Sequence, residues 1–180
     1  MTDEKLFLQQ LTDPKTKEKA FRVLVSTYKE RLYWHLRKIL LSHDDTDDVL
    51  QNTFIKIYKG IPNFKGDSKL FSWMYRIATN EAITFINKRS KQLQLTNEEY
   101  QFNKLQSLQD DVLYDGDQIQ LILQKALLEL PEKQRMVFNM KYFDNLKYDE
   151  ISEILGTSVG ALKASYFHAV KKIKKIIEAH

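Results

Sequence analysis

The sequence predicts an all-α fold, two small helical units joined by a flexible linker. Three observations carry the expectation. Five glycines and three prolines in 180 residues are too few for a turn-rich β protein. Apolar residues recur three and four apart over most of the chain, the period of a helix with one buried face. Between two such regions, residues 93–117 turn polar, with Glu98, Glu99, Asp110, Asp111, Asp115 and Asp117 against the single cation Lys104. Leucines are too sparse there to build a core, so the stretch reads as a mobile, partly helical linker between units 1–92 and 118–180.

Each element has its own signal. Leu6, Phe7, Leu8 and Leu11 make a short apolar run that ends near Pro14. Phe21, Leu24, Tyr28, Leu32, Leu36 and Ile39 then mark one long amphipathic helix over 17–41. Residues 42–45, Ser-His-Asp-Asp, break it and cap the next, since a first-turn aspartate complements the helix dipole. The helix over 46–59 turns Val49, Leu50, Phe54 and Ile57 inward, leaves Asp47, Asp48, Gln51 and Asn52 outside, and stops at Gly60-Ile61-Pro62. Gly66-Asp67-Ser68 make a turn before a helix striped by Ile77, Ala78, Ala82, Ile83 and Ile86.

Beyond the linker the periodicity returns with Ile119, Ile122, Leu123, Ala126, Leu127 and Leu130, stopped at Pro131. Pro131 suits the start of the next helix, where its missing N–H costs nothing. That helix holds Met136, Val137, Met140 and Phe143 and ends at Asp144-Asn145. A short helix over 148–155 ends at Gly156, where a left-handed turn is cheap. Thr157-Ser158 cap a last helix over 159–178, with Leu162, Tyr166, Ala169, Ile173 and Ile176 on one face.

Composition removes several classes of function. With no cysteine there is no disulfide, thiolate nucleophile or sulfur metal site, which fits a reducing cytoplasm. No apolar run is long enough to span a bilayer and no signal peptide precedes the chain, so no membrane insertion is expected. His35 reads as a packed or capping residue, and His43, His168 and His180 share no metal spacing with it, so no metal or cofactor is expected. No nucleophile–base pair and no phosphate-cradling glycine loop is present; the chain reads as a non-enzyme with no small-molecule substrate.

Two regions point to nucleic acid. In 61–91, Phe64 and Lys65 precede an aromatic-rich helix start (Phe71, Trp73, Tyr75) and a basic tail of Lys88, Arg89 and Lys91. Flat rings stack on unpaired bases and cations follow phosphates; the plain alternative is that the rings are core, as large aromatics mostly are. Trp34 and Trp73 read first as core or interface residues, with Trp73 also backing the loop. At the C-terminus, a short helix, a glycine turn and a basic helix form a helix-turn-helix arrangement. Its last helix would offer Ser158, Val159, Gly160, Lys163, Tyr166 and Phe167 to base edges, and Lys171 and Lys172 to phosphates.

These segments resemble motifs of the bacterial extracytoplasmic-function (ECF) sigma factors of the sigma-70 family, across essentially the whole chain. Residues 45–54, DTDDVLQNTF, look like D-x-E-D-L-V-Q-E-x-F. Residues 64–80, FKGDSKLFSWMYRIATN, are similar to F-x-G-x-S-x-F-x-T-W-L-Y-R-I-A-x-N. LPEKQR at 130–135 and ILGTSVGALK at 154–163 match L-P-x-x-x-R and I-L-x-x-S-x-G-T-V-K. The resemblance implies a region 2-like unit, an acidic linker and a region 4-like helix-turn-helix unit. It implies core RNA polymerase as partner, through the β′ clamp helices and the β flap, with Asp47, Asp48, Gln51 and Asn52 at the clamp. It further implies single-stranded and duplex promoter DNA, and an anti-sigma factor as inhibitor. Phe64, Tyr75, Ile77, Ala78 and Asn80 would form or flank a pocket for a flipped −10 base, with Lys65, Arg76, Lys88 and Arg89 on the backbone. The last helix, from Ser158 through Ser165, His168, Lys171 and Lys172, would meet the −35 element.

Five positions depart from the pattern. Asn52 replaces a frequent Glu, Thr79 a frequent basic residue, and Lys147 a common Ser/Thr cap. Ser165 and His168 stand where relatives commonly carry arginine, so bidentate arginine–guanine contacts are unavailable there. Two rival readings remain. A stand-alone helix-turn-helix regulator would bind duplex DNA without polymerase. Asp44-Asp45-x-x-Asp48 also matches the D-D-x-x-D magnesium signature of helical isoprenoid synthases, but no second aspartate-rich helix accompanies it.

Overall fold

The structure is a computed structural model that describes residues 3–108 and 118–179. Among the described residues it is built of helices and turns, with no strand. The first unit holds α1 (Asp3–Thr12), α2 (Lys17–Leu40), α3 (His43–Gly60), a 3-10 turn at Ile61–Asn63 and α4 (Leu70–Gln92). After α5 (Asn97–Leu108) come α6 (Gln118–Leu128), α7 (Glu132–Phe138), a π-helical turn at Asn139–Phe143, α8 (Tyr148–Leu155) and α9 (Val159–Glu178).

Local chemistry explains the boundaries. Ser42 caps α3, its Oγ accepting the Asp45 N–H at 3.4 Å, so that helix begins three residues before the predicted 46. Leu41 closes α2 in the left-handed region at φ 59°, where a non-glycine side chain is strained. Its side chain is buried against Leu105 and Leu128, which offsets that strain. Gly156 ends α8 at φ 64°, and the Ser158 hydroxyl accepts the Ala161 N–H at 3.3 Å to start α9. Lys147 offers no side-chain cap to α8. Instead Glu150 Oε2 accepts the Lys147 N–H at 2.9 Å and fixes the start from inside the helix.

Two features differ from the expected flexible linker and separate units. Residues 97–108, expected within the linker, form α5 with Tyr100, Gln101 and Leu105 buried. Thr96 and Glu99 make a reciprocal capping box: Thr96 N–H donates to Glu99 Oε2 at 2.7 Å, and Glu99 N–H to Thr96 Oγ1 at 3.1 Å. Lys104 Nζ lies 2.8 Å from the buried Asp45 carboxylate, the Tyr100 hydroxyl donates to Asp45 at 3.4 Å, and Gln101 Nε2 donates to the Ile39 carbonyl at 3.1 Å. Asp110, Asp111, Asp115 and Asp117 lie outside the described residues. The core also runs on from one unit to the other: Leu24, Leu36, Met74 and Ala78 share one buried cluster with Met136, Met140, Ile151 and Leu162. A smaller cluster, Ala126, Leu127, Phe138, Ala169 and Ile173, ties α6 to α7 and α9.

Burial and the adjacent Asp45 carboxylate push the Tyr100 hydroxyl up to about 12. The folded form therefore gains nothing from this group's shift once Tyr100 ionises. Its contribution to stability is complete below the ordinary value of 10.0 and is lost as pH climbs through about 12. Chemical-denaturation stability of the parent should fall more between pH 10 and 12 than that of Tyr100→Phe, which removes the group.

Candidate functional site

Three surfaces carry the residues the sequence singled out. The first is the outward side of α3. Its inner residues Val49, Leu50, Thr53 and Ile57 are buried, which leaves Asp47, Asp48, Gln51 and Asn52 exposed together. Trp34 joins them from α2; it is 54 % exposed, where a buried or interface residue was expected. Its ring stands edge-on to Tyr33 at 5.2 Å, the Tyr33 hydroxyl is 2.6 Å from His43 Nδ1, and His43 Nε2 is 3.5 Å from Asp47 Oδ2. Tryptophan is enriched at protein interfaces, and this one is left uncovered.

The second surface is the loop before α4 and the outer side of that helix. Phe64 is half-buried, its ring 5.0 Å from Trp73, so Trp73 does back the loop. Gly60 passes so close that a Cβ there would meet Trp73 Cζ2 at 2.9 Å. Lys65, Asn80, Lys88 and Arg89 are exposed, and Ile77 is half-buried against the core. Asn80 and Lys88 lie eight residues apart on α4, so they share one side of that helix. The Arg89 guanidinium lies over the Phe85 ring at 5.3 Å.

Three of the expected base-pocket and backbone residues are engaged inside the molecule instead. Ala78 is fully buried and Tyr75 is 1 % exposed, packed 4.4 Å from Phe71 and 4.8 Å from His35. Burial, and then the charge of Asp144, raise the Tyr75 hydroxyl above its usual range. Neither residue can touch a base in this arrangement, because helical phase turns both toward the shared core. Arg76 is exposed, but its Nε donates to the Glu153 carbonyl of α8 at 3.1 Å, and its Nη2 donates to the same oxygen. Thr79, which replaces a frequent basic residue, is buried; its hydroxyl donates to the Tyr75 carbonyl at 2.8 Å and lies 2.9 Å from His35 Nε2.

The third surface is α9. Gly160, Lys163, Phe167, His168 and Lys171 are exposed, and Val159 and Ser165 are half-buried. Phe167, 63 % exposed, presents an apolar ring with no core to fill. Tyr166 is turned away, its ring 5.8 Å from Phe138 and nearly parallel to it. Ser158 is occupied as the cap. Lys172 Nζ donates to the Glu129 carbonyl at 2.7 Å, closing the end of α6. Lys163 stands 5.9 Å over the Tyr148 ring.

The metal reading fails on geometry. Asp45 of the D-D-x-x-D match is buried in its ion pair with Lys104, while Asp44 and Asp48 point outward. Among the described residues no group of three or more His, Asp or Glu side chains could hold a metal ion. No described helix is long and apolar enough to cross a membrane.

Comparison with known proteins places both units in one family. Residues 24–92 match the Sigma-70 region 2 family, and residues 120–173 match Sigma-70, region 4. The ECF RNA polymerase sigma factor SigW of Bacillus subtilis is 33% identical over 164 residues, covering 87% of this chain and 88% of SigW. The chain belongs to the ECF RNA polymerase sigma factors. The sigma-E factor of Escherichia coli is 28% identical to this sigma factor, covering 94% of this chain and 96% of the relative. Among solved structures, CnrH in complex with the cytosolic domain of CnrY superposes with a TM-score of 0.72 at 21% identity, covering 98% of this chain and 97% of CnrH. The sigma factor RpoE of Bartonella quintana, in complex with the anti-sigma factor NepR, gives 0.67 at 19% identity, covering 89% and 98%. As a sigma factor the chain is a transcription-initiation protein and not an enzyme, and both rival readings lapse.

Proposed function

We infer that this sigma factor divides promoter recognition among its three surfaces. The outer face of α3, Asp47, Asp48, Gln51 and Asn52 with Trp34 beside them, docks the β′ clamp helices of core polymerase. Phe64, Lys65, Ile77, Asn80, Lys88 and Arg89 hold the unpaired −10 strand, where a stacked base is worth about 1–3 kcal/mol. The outer face of α9, through Gly160, Lys163, Phe167, His168 and Lys171, meets the −35 duplex, and the second unit also contacts the β flap. The observation that carries this assignment is exposure: the core leaves the motif residues named here outside, except Phe64 and Ile77, which are half-buried with one side toward the core. RpoE was solved with the anti-sigma factor NepR and CnrH with the cytosolic domain of CnrY, and the first of these supports an anti-sigma factor for this chain. The cytoplasm, where polymerase and promoter meet, is the place of action.

Run-off transcription with purified core polymerase tests the whole reading. Defined RNA 5′ ends that require this chain are expected; their absence overturns it. Within it, Lys171→Ala should lower the salt slope of holoenzyme–promoter binding by about 0.9, one phosphate contact, without changing the preferred sequence. Lys172→Ala should change the slope less, because its ammonium already serves the Glu129 carbonyl. Electrophoretic titrations across a salt series measure both.

A further inference from the structure

One polar cluster joins the two units, and none of the three surfaces uses it. Asp144, at the end of the π-helical turn, has a side chain 4 % exposed, with Oδ2 2.7 Å from His35 Nδ1 and Oδ1 2.7 Å from Lys38 Nζ. His35 is fully buried, and its second ring nitrogen faces the Thr79 hydroxyl. The extra residue in a π turn re-phases the chain beyond it. Here Asp144 N–H bonds the Asn139 carbonyl at 3.1 Å, Asn145 takes a left-handed φ of 53°, and the carboxylate reaches across to α2. Burial alone would raise the Asp144 carboxyl; the His35 hydrogen bond and charge, with Lys38, outweigh it and hold the group below the usual carboxylate range.

Two further ties lay α8 along α4. Lys69 Nζ is 3.6 Å from Glu150 at the start of α8, and Arg76 grips the Glu153 carbonyl near its end. Arg76 is thereby withheld from DNA, and α8, the helix of the pair that crosses the DNA backbone, is covered. Size makes the same point. By their labels, the −35 and −10 elements lie about 25 base pairs apart, or about 85 Å of duplex at about 3.4 Å per pair. A compact chain of 180 residues has a radius of gyration of only about 16 Å. The closed chain cannot reach both.

We propose that His35, Lys38 and Asp144 form an interdomain latch that keeps the free sigma factor closed and unable to engage a promoter until the units part. The proposal rests on the promoter-binding reading above, and its test separates the two. The chain has no cysteine, so Lys19→Cys and Lys125→Cys, both at exposed positions, give a clean label pair across the units. Spin-label distance measurement on the full chain should show one short, narrow distribution in the parent and a longer, broader one in Asp144→Asn. Asp144→Asn keeps the side-chain shape and should keep the far-UV helical signal. Free Asp144→Asn should also bind duplex promoter DNA on the order of tenfold more tightly, because more of it is competent. In a second chain, Lys69→Cys and Glu150→Cys are bridged by a short, reducible bis-maleimide. The bridged form should fail to initiate with core polymerase and recover on reduction.

Distributions that superimpose for parent and Asp144→Asn overturn the latch. So does a bridged chain that initiates as well as its reduced form, and the bridged arm decides the matter should Asp144→Asn lose its helical signal. If Asp144→Asn opens but the reduced chain never starts RNA at defined places, the promoter reading falls and the latch stands.

Discussion

Tyr75→Ala should lower the stability of the folded chain by about 3–5 kcal/mol, the usual cost of emptying a buried aromatic site. The ring is 1 % exposed and is packed against Phe71 and His35. It sits in the cluster that runs through both units, so the cavity would loosen the packing of α4 on its neighbours. Tyr75→Phe keeps the ring and removes only a long hydrogen bond, 3.4 Å to the Arg31 carbonyl. That should cost about 1 kcal/mol or less. Denaturant melts give both numbers, and initiation assays on Tyr75→Phe supply the discriminating readout. A Tyr75→Phe chain of near-parent stability should initiate normally. If it melts normally but fails to open promoters, the hydroxyl meets DNA after the units part, and the core assignment holds only for the closed chain.

Asn80→Ala should reduce open-complex formation roughly tenfold, within the about 1–3 kcal/mol of a good side-chain contact to a base edge. Polymerase affinity should stay nearly unchanged, because the α3 face is untouched. The expectation rests on position. Asn80 is the exposed neighbour of Thr79, whose hydroxyl is tied to Tyr75 and His35, so the backbone that presents the amide is held from behind. No structural partner is lost on truncation among the hydrogen bonds of the described residues, and the melting profile should match the parent. Permanganate footprinting of the −10 strand and a polymerase-binding titration measure the two quantities side by side. Equal loss of both would make Asn80 a structural residue of the polymerase-binding unit.

What could be read in advance divides by range along the chain. The long helix over 17–41, the turn at Gly156 and the cap at Ser158 were legible because a helix stripe, a left-handed turn and an N-cap each depend on residues within four of one another. Asp47, Asp48, Gln51 and Asn52 were legible as an outer face for the same reason. The α5 helix carried a local signal too, the Thr96-x-x-Glu99 capping box, but the acidic composition around it pointed to a linker. Its docking needed Lys104 to find Asp45, 59 positions earlier, and no periodicity encodes that distance.

Local sequence therefore fixed most of the helices, the turn at Gly156, the cap at Ser158, the order of the motifs and the family they point to. Long-range packing set the rest: Tyr75 and Ala78 face inward, Trp34 faces out, and Arg76 is held by a carbonyl 77 residues away. It alone placed Asp144 against His35 across 109 residues. The physical reason is that helix formation is a local free-energy balance, whereas pairing across the chain depends on which faces meet once the apolar stripes are buried together.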